Sequence, residues 1–173
     1  FVQSWEEDFL REPKNFGRWM ESALSVTIAS SVAALPTGYL GLKYAYVNGS
    51  PSSRLDRASL NQTFGRYPRG GDTGLPVLIS RLGENFVFGP APDSTYTIAG
   101  VYWRKPTLLR SFASDAAAHW LIVNAPDLIV YGSLMHAAPF IRGDERLPVW
   151  QSMYEKALRS YRRMQMDEDV SGS

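Results

Sequence analysis

The sequence predicts an α+β protein, an antiparallel helical bundle drawn from both chain ends (1–22 and 113–166) that carries an inserted small antiparallel β-sandwich or barrel (23–112). Three observations carry this expectation. Apolar residues near both ends recur at helical spacing. Between residues 23 and 112 the chain is rich in β-branched and aromatic residues, punctuated by Gly and Pro. After Phe112 the composition switches back. The last residues, "DEDVSGS" at 167–173, are polar and small and read as a flexible tail.

In chain order, Val2, Trp5 and Phe9 sit at helical spacing around Glu6, Glu7 and Asp8, and Pro13 stops that helix after about three turns. "LSVTIA" reads as a strand. So does "YLGLKYAYV", where Tyr39, Gly41, Lys43, Ala45 and Val47 alternate against Leu40, Leu42, Tyr44 and Tyr46. "NGS" after it is a turn signal. In "LDRASLNQTFGRYP", Leu55, Ala58, Leu60 and Phe64 fit a short helix better than a strand. "PVLISRLGENFVFGP" reads as a hairpin turning at Gly83-Glu84-Asn85, and "STYTIAGVYWRKP" as a last long strand. About five strands and one short helix make up the inserted module.

Beyond it, "APDLIVYGSLMHAAPFI" places Pro126 and Asp127 in a first helical turn, where a missing N–H and a negative charge are tolerated. Leu128, Ile129, Tyr131, Leu134, Met135 and Ala138 cover most of its circumference, which predicts burial on several sides. Gly132, Ser133, Ala137 and Ala138 permit close helix packing, and Pro139 predicts a kink. After "RGDERLP", Pro148 suits a helix start, and the helix is expected to run to about Asp167. Trp150, Tyr154, Ala157, Tyr161 and Met164 form a seam of the kind that packs helix on helix.

Composition bounds the function classes. At 173 residues and 19.3 kDa the chain suits one domain, or a domain with a sizeable insertion. Folding at this size removes roughly 70% of the unfolded surface, so no metal or disulfide staple is needed. The 13% aromatic content leans towards an assembling protein. A net charge of +1 does not describe a nucleic-acid-binding domain. The absence of Cys excludes disulfides, zinc–thiolate sites and cysteine nucleophiles. No run approaches the ~18 apolar residues of a membrane span. The chain starts at Phe rather than Met, so its native start is expected to be missing, and "FVQSWEEDFLREP" is too acidic for a signal peptide.

Few residues point to chemistry. Ser133 and His136 lie one helical turn apart and Asp127 two turns from His136, so a Ser–His–Asp hydrolase is one reading. "YGSLM" is not the G-x-S-x-G elbow that such a nucleophile uses, and a packing role for these residues competes with it. Two His, His119 and His136, make no metal-ligand spacing. "RYPRGGDTG" lacks the Gly-Lys-Ser/Thr ending of a phosphate loop and reads as a flexible loop exposing Arg66 and Arg69. "NGS" and "NQT" match the glycosylation sequon, but nothing indicates a secretory route. The cluster around Arg159, Tyr161, Arg162, Arg163, Met164 and Met166 reads either as a solvated helix end or as a docking tail with Arg and Met anchors.

Taken along the chain, "LPTGYLGLKYAYVNG", "FVFGPAPDSTYTIAGVYWRKPTLL" and "WLIVNAPDLIVYGSLMHAAPFIRGDERLPVWQSMYEKAL" occur in an order that resembles the tailed-bacteriophage head-to-tail adaptor family. These are connector proteins that assemble below the portal. The resemblance spans nearly the whole chain, and its most specific parts are LP-x-x-YL, F-x-P-x-P and APD-x-x-x-YG-x-L-x-x-A. It implies a virion structural protein, assembled in the host cytoplasm and placed at the head–tail junction, with no catalytic residues and no cofactor. The implied partners are the portal protein, neighbouring copies in a ring of twelve, downstream tail or nozzle proteins, and double-stranded DNA passing through the lumen during ejection. Under this reading His136 is a bystander and near-neutral charge lets DNA slide; which face meets the portal does not follow from the resemblance, and the C-terminal helix end and tail are expected to make that contact. A tail-completion or stopper protein is the related alternative.

Overall fold

The computed structural model describes residues 1–49, 53–111, 119–140 and 145–171, with side chains to residue 168. It is α+β, with five α-helices and a nearly closed, barrel-like sheet of seven strands among the described residues. The chain divides into two compact units, one formed by residues 1–20 and 106–173, the other by residues 21–105.

The second unit holds β1 (Glu21–Ile28), β2 (Val32–Ala34), β3 (Tyr39–Asn48), β4 (Ser53–Arg57), α2 (Leu60–Arg66), β5 (Leu78–Leu82), β6 (Asn85–Gly89) and β7 (Tyr96–Arg104). Their hydrogen-bonded order is β1-β7-β3-β4-β5-β6-β2. β1 and β2 follow each other in sequence yet end up at opposite ends of that order, close to one another, and this nearly closes the sheet. Leu24, Ile28, Leu42, Ala45, Phe86 and Ile98 are among the residues that fill the interior.

The module is not wholly antiparallel, because β4 and β5 pair in parallel at Asp56↔Leu78 and Arg57↔Ile79. Parallel neighbours need a crossover, and α2 with the loop after it supplies one. The helix read from Leu55 onward starts only at Leu60, and residues 53–57 are a strand with Leu55 in the core. The boundary comes from a capping box: Ser59 Oγ accepts from Gln62 N–H at 3.2 Å, and Gln62 Oε1 accepts from Ser59 N–H at 2.9 Å. The hairpin turn is Gly83–Glu84, with Gly83 at φ 59°, and Asn85 already pairs with Leu82. Of the "NGS" turn, Ser50 lies outside the described residues.

Strict alternation in β3 is broken for a physical reason. The register with β7 slips between Tyr39 and Gly41 and again between Leu42 and Tyr44. Each slip leaves one extra residue, a bulge that bends the strand and exchanges the faces of the residues beyond it. Leu42, Ala45 and Val47 are therefore the buried positions. Beside the second bulge, a Cβ at Gly100 would overlap the Tyr44 carbonyl oxygen and lie 2.8 Å from Ala45 Cα.

The first unit holds α1 (Val2–Arg11), α3 (Trp120–Asn124), α4 (Pro126–Ala137) and α5 (Leu147–Ser171), with short 3-10 turns at Pro13–Asn15, Arg18–Met20, Leu109–Ser111 and Ala138–Phe140. α4 packs against both α1 and α5. Pro139 does not kink α4. The helix ends at Ala137, and Pro139 sits in the 3-10 turn after it, because its ring cannot continue the i→i−4 ladder. α5 continues past the expected stop near Asp167, with residues 167–171 helical. The segments 112–118 and 141–144, read as leading into α3 and as part of the connection before α5, lie outside the described residues.

Two glycine substitutions test this account of the sheet unit. Gly100→Ala is expected to lower stability by about 1–3 kcal/mol, since backbone and not a flexible side chain occupies the space. Gly65→Ala in α2 has nothing within 4 Å of the new Cβ and is expected to raise stability by up to about 1 kcal/mol. Urea unfolding of both variants measures the difference.

Candidate interaction surface

The helical unit is organised on Trp5. Its ring is 1% exposed and stacks obliquely on Phe9 at 5.4 Å between centroids. The indole fills the space beside Gly132 of α4, where any Cβ would overlap its Nε1. From there Nε1 donates to the Tyr154 hydroxyl of α5 at 3.3 Å. One side chain on α1 thus sets its distance to two other helices. The five-residue seam expected on α5 points inward, with Ala157 and Tyr161 buried and Trp150, Tyr154 and Met164 half-buried.

A second aromatic group locks the far part of α5. Trp19 and Trp120 stack with planes 4° apart at 5.3 Å, and Trp120 meets Tyr161 edge-on at 6.0 Å. The Tyr161 hydroxyl accepts from Trp19 Nε1 at 3.1 Å and donates to the Asn15 carbonyl at 2.6 Å. Burial pushes its phenol up to about 12, against the lowering effect of the Trp19 donor, so this proton stays in place at neutral pH. Asn15 Oδ1 accepts from Arg162 Nε and Nη2 at 3.1 and 2.9 Å. Gln165 Oε1 accepts from Arg18 N–H at 3.1 Å, and Gly17 leaves it room. Arg18 Nη1 reaches the Glu168 carbonyl at 2.9 Å.

These contacts divide the docking residues expected on α5. Tyr161 is 2% exposed and closed to a partner while the unit is folded, a correction to its place in that set. Arg162 is half-buried against Asn15, and Met164 lines a small surface pocket of about 110 Å³ with Asp127 and Ser160. Arg159, Arg163 and Met166 remain on the surface. Arg159 lies 3.8 Å from Glu155, an exposed pair worth little.

The hydrolase reading finds no support in the geometry. Among the described residues Ser133 Oγ is buried without a hydrogen-bond partner, and none of them is in place as its base. His136 Nε2 faces Asp8 Oδ2 at 3.5 Å, and Asp127 Oδ1 accepts from Leu128 N–H at its own helix start. His119 is structural: its Nδ1 accepts from Leu121 N–H and caps α3. Glu6, buried in α1, accepts from Leu109 N–H at 2.9 and 3.1 Å. Among the described residues no three His, Asp or Glu side chains gather to hold a metal ion, and no helix is long and apolar enough to cross a membrane.

What the helical unit does present is apolar surface. Apolar side chains cover most of the circumference of α4, yet only Leu128 and Gly132 are buried. Ile129, Tyr131, Leu134, Met135 and Ala138 are half-buried and Val130 is 54% exposed, which corrects the expected burial on several sides within one chain. Ile122, Val123, Phe140, Val149, Met153 and Met166 are exposed as well. Sequence reasoning missed Asn15, Gln165 and Phe140. Asn15 and Gln165 gain meaning only from partners about 150 positions away. The apolar run before Phe140 was a usable signal.

The helical unit thus leaves an apolar surplus on its surface. The chain belongs to the SU10 adaptor protein family, which it matches over residues 1–173. It is therefore a bacteriophage structural adaptor and a virion component, in a family not known for enzymes. No curated protein matches it.

Two measurements probe this unit. Gly132→Ala is expected to cost about 1–3 kcal/mol by driving the new methyl into Trp5, and Trp5→Phe in that background should recover part of it. Burial lowers the His119 pKa from its ordinary value of 6.5, while a hydrogen bond to the Thr107 backbone opposes the shift. The unfolded chain then takes up this proton at higher pH than the folded one. The His119 contribution is therefore full above about pH 6.5 and falls away as acidification proceeds to the lower folded value. The urea midpoint should drop from pH 7 to 5.5 in the wild type, and the drop should be smaller in His119→Gln.

Proposed function

We propose that this protein is a head-to-tail adaptor that forms a ring of copies below the portal, extends the DNA channel and gives the tail its attachment platform. The observation that carries this reading is α4, a largely apolar helix that one chain covers only in part. Such a helix is stable in water when its remaining faces are covered, and neighbouring copies in a closed ring would cover them. The family supports association with portal and tail proteins. The portal contact is assigned to the surface residues at the α5 end, Arg159, Arg163 and Met166, with Arg162, Tyr161 and Met164 holding that end in place. A net charge of +1 is compatible with DNA sliding through the lumen, since few phosphates would be gripped.

The mass of portal rings mixed with the purified protein tests this. Twelve copies would add roughly 230 kDa to a symmetric ring. Arg163→Glu with Met166→Asp is expected to abolish that gain without changing the unfolding midpoint, because both side chains are exposed. Failure to bind portal at any salt concentration sinks the assignment. Binding to tail tube instead would identify a tail-completion or stopper protein.

A further inference from the structure

The sheet unit contains an open pocket beside its core. Its volume is about 380 Å³, and it is lined by the half-buried Phe64 and Tyr67, by the core residue Phe88 and by Val32, which is 42% exposed. Arg69 also lines it, its guanidinium held 5.2 Å over the Phe64 ring. Aromatic walls favour an aromatic guest, which can meet them edge-on or offset. The most exposed large apolar side chain among the described residues is also aromatic. It is Phe140 in the helical unit, 75% exposed, presented directly after Pro139 in a 3-10 turn and touched by the Phe1 ring at 5.1 Å.

We propose that Phe140 of one copy inserts into the Phe64–Tyr67–Phe88 pocket of the next copy. The proposal rests on the ring reading above. A closed ring of more than two copies needs a heterologous contact, in which two different patches of the same chain meet. An exposed knob on one unit and an open pocket on the other are two such patches. Charge favours the same pairing: residues 21–105 carry eight Lys and Arg against five Asp and Glu, and the rest of the chain carries ten against twelve. Phe140 would be the central apolar anchor of the contact and the aromatic walls its socket, the arrangement typical of an interface hot spot.

The absence of native cysteine permits a direct test. Ser31→Cys places a thiol at the pocket, and Pro139→Cys places one beside the knob while leaving Phe140 intact. The two single variants are mixed, assembled on portal rings and treated with a short bis-maleimide. A crosslinked dimer is expected only when both variants are present. It should disappear when the Pro139→Cys chain also carries Phe140→Ala, or when Val32→Trp fills the pocket of the other. Without any cysteine, Phe140→Ala should raise the concentration needed for ring assembly on the order of tenfold or more, and Phe140→Trp should restore it. Full rings by mass with no crosslink, or Phe140→Ala rings at the wild-type concentration, overturn the proposal and leave the adaptor reading standing. Failure of the wild-type protein to form rings on portal removes both.

Discussion

The helical unit depends on the space that Gly132 leaves for the Trp5 indole. An indole is among the largest side chains available and glycine the smallest, so the two together fix how closely α1 approaches α4. Burying Trp5 supplies more apolar area than any other single residue of α1 can. Its one polar atom is satisfied at the Tyr154 hydroxyl, and that bond ties α5 to the same point. Phe9 continues the contact towards Tyr161 and the second aromatic group formed with Trp19 and Trp120. The stacking order along α5 is thus set at two places, with Ala157 between them keeping the helix close.

The sheet unit answers a different constraint, that of nearly closing seven strands of unequal length around one core. Bulges in β3 supply the bend, and Gly100 on β7 accepts the close approach of the bent backbone. The parallel β4–β5 step, made possible by α2, lets the chain cross over without adding a hairpin. β1 and β2, joined directly in sequence, then bring the two ends of the hydrogen-bonded order together. One end of that order is the three-residue β2, and so short an edge discourages uncontrolled strand pairing between copies.

Placed beside the function, these two solutions leave different things on the surface. The helical unit leaves apolar area, on α4 and at Phe140 and Met166. The sheet unit leaves an aromatic pocket and an excess of positive charge. A protein that acts through assembly requires such complementary remainders, and it requires that the groups holding its own fold be kept apart from them. Arg162 illustrates the separation. It lies in the same basic cluster as Arg159 and Arg163, yet its guanidinium is committed to Asn15 while theirs face solvent.

By itself the sequence determined most of the periodic elements: α1, the strands β1, β3 and β7, the β5–β6 hairpin, and the inward seam of α5 from Trp150 to Met164. In each of these a repeat of two or 3.6 residues extends over enough positions to identify the element from local pattern alone. It also carried the family, because many weak motifs in fixed order are specific together. Tertiary structure alone decided the three-residue β2, the strand at Leu55, the parallel pairing and the slipped register of β3, all of which depend on a partner distant in the chain. The same holds for the site. That Tyr161 is a core anchor, that Asn15 binds Arg162, and that α4 leaves much of its apolar surface uncovered are facts about neighbours. Side-chain type fixes what a residue can do, but only the packing of remote segments determines which of its faces meets water.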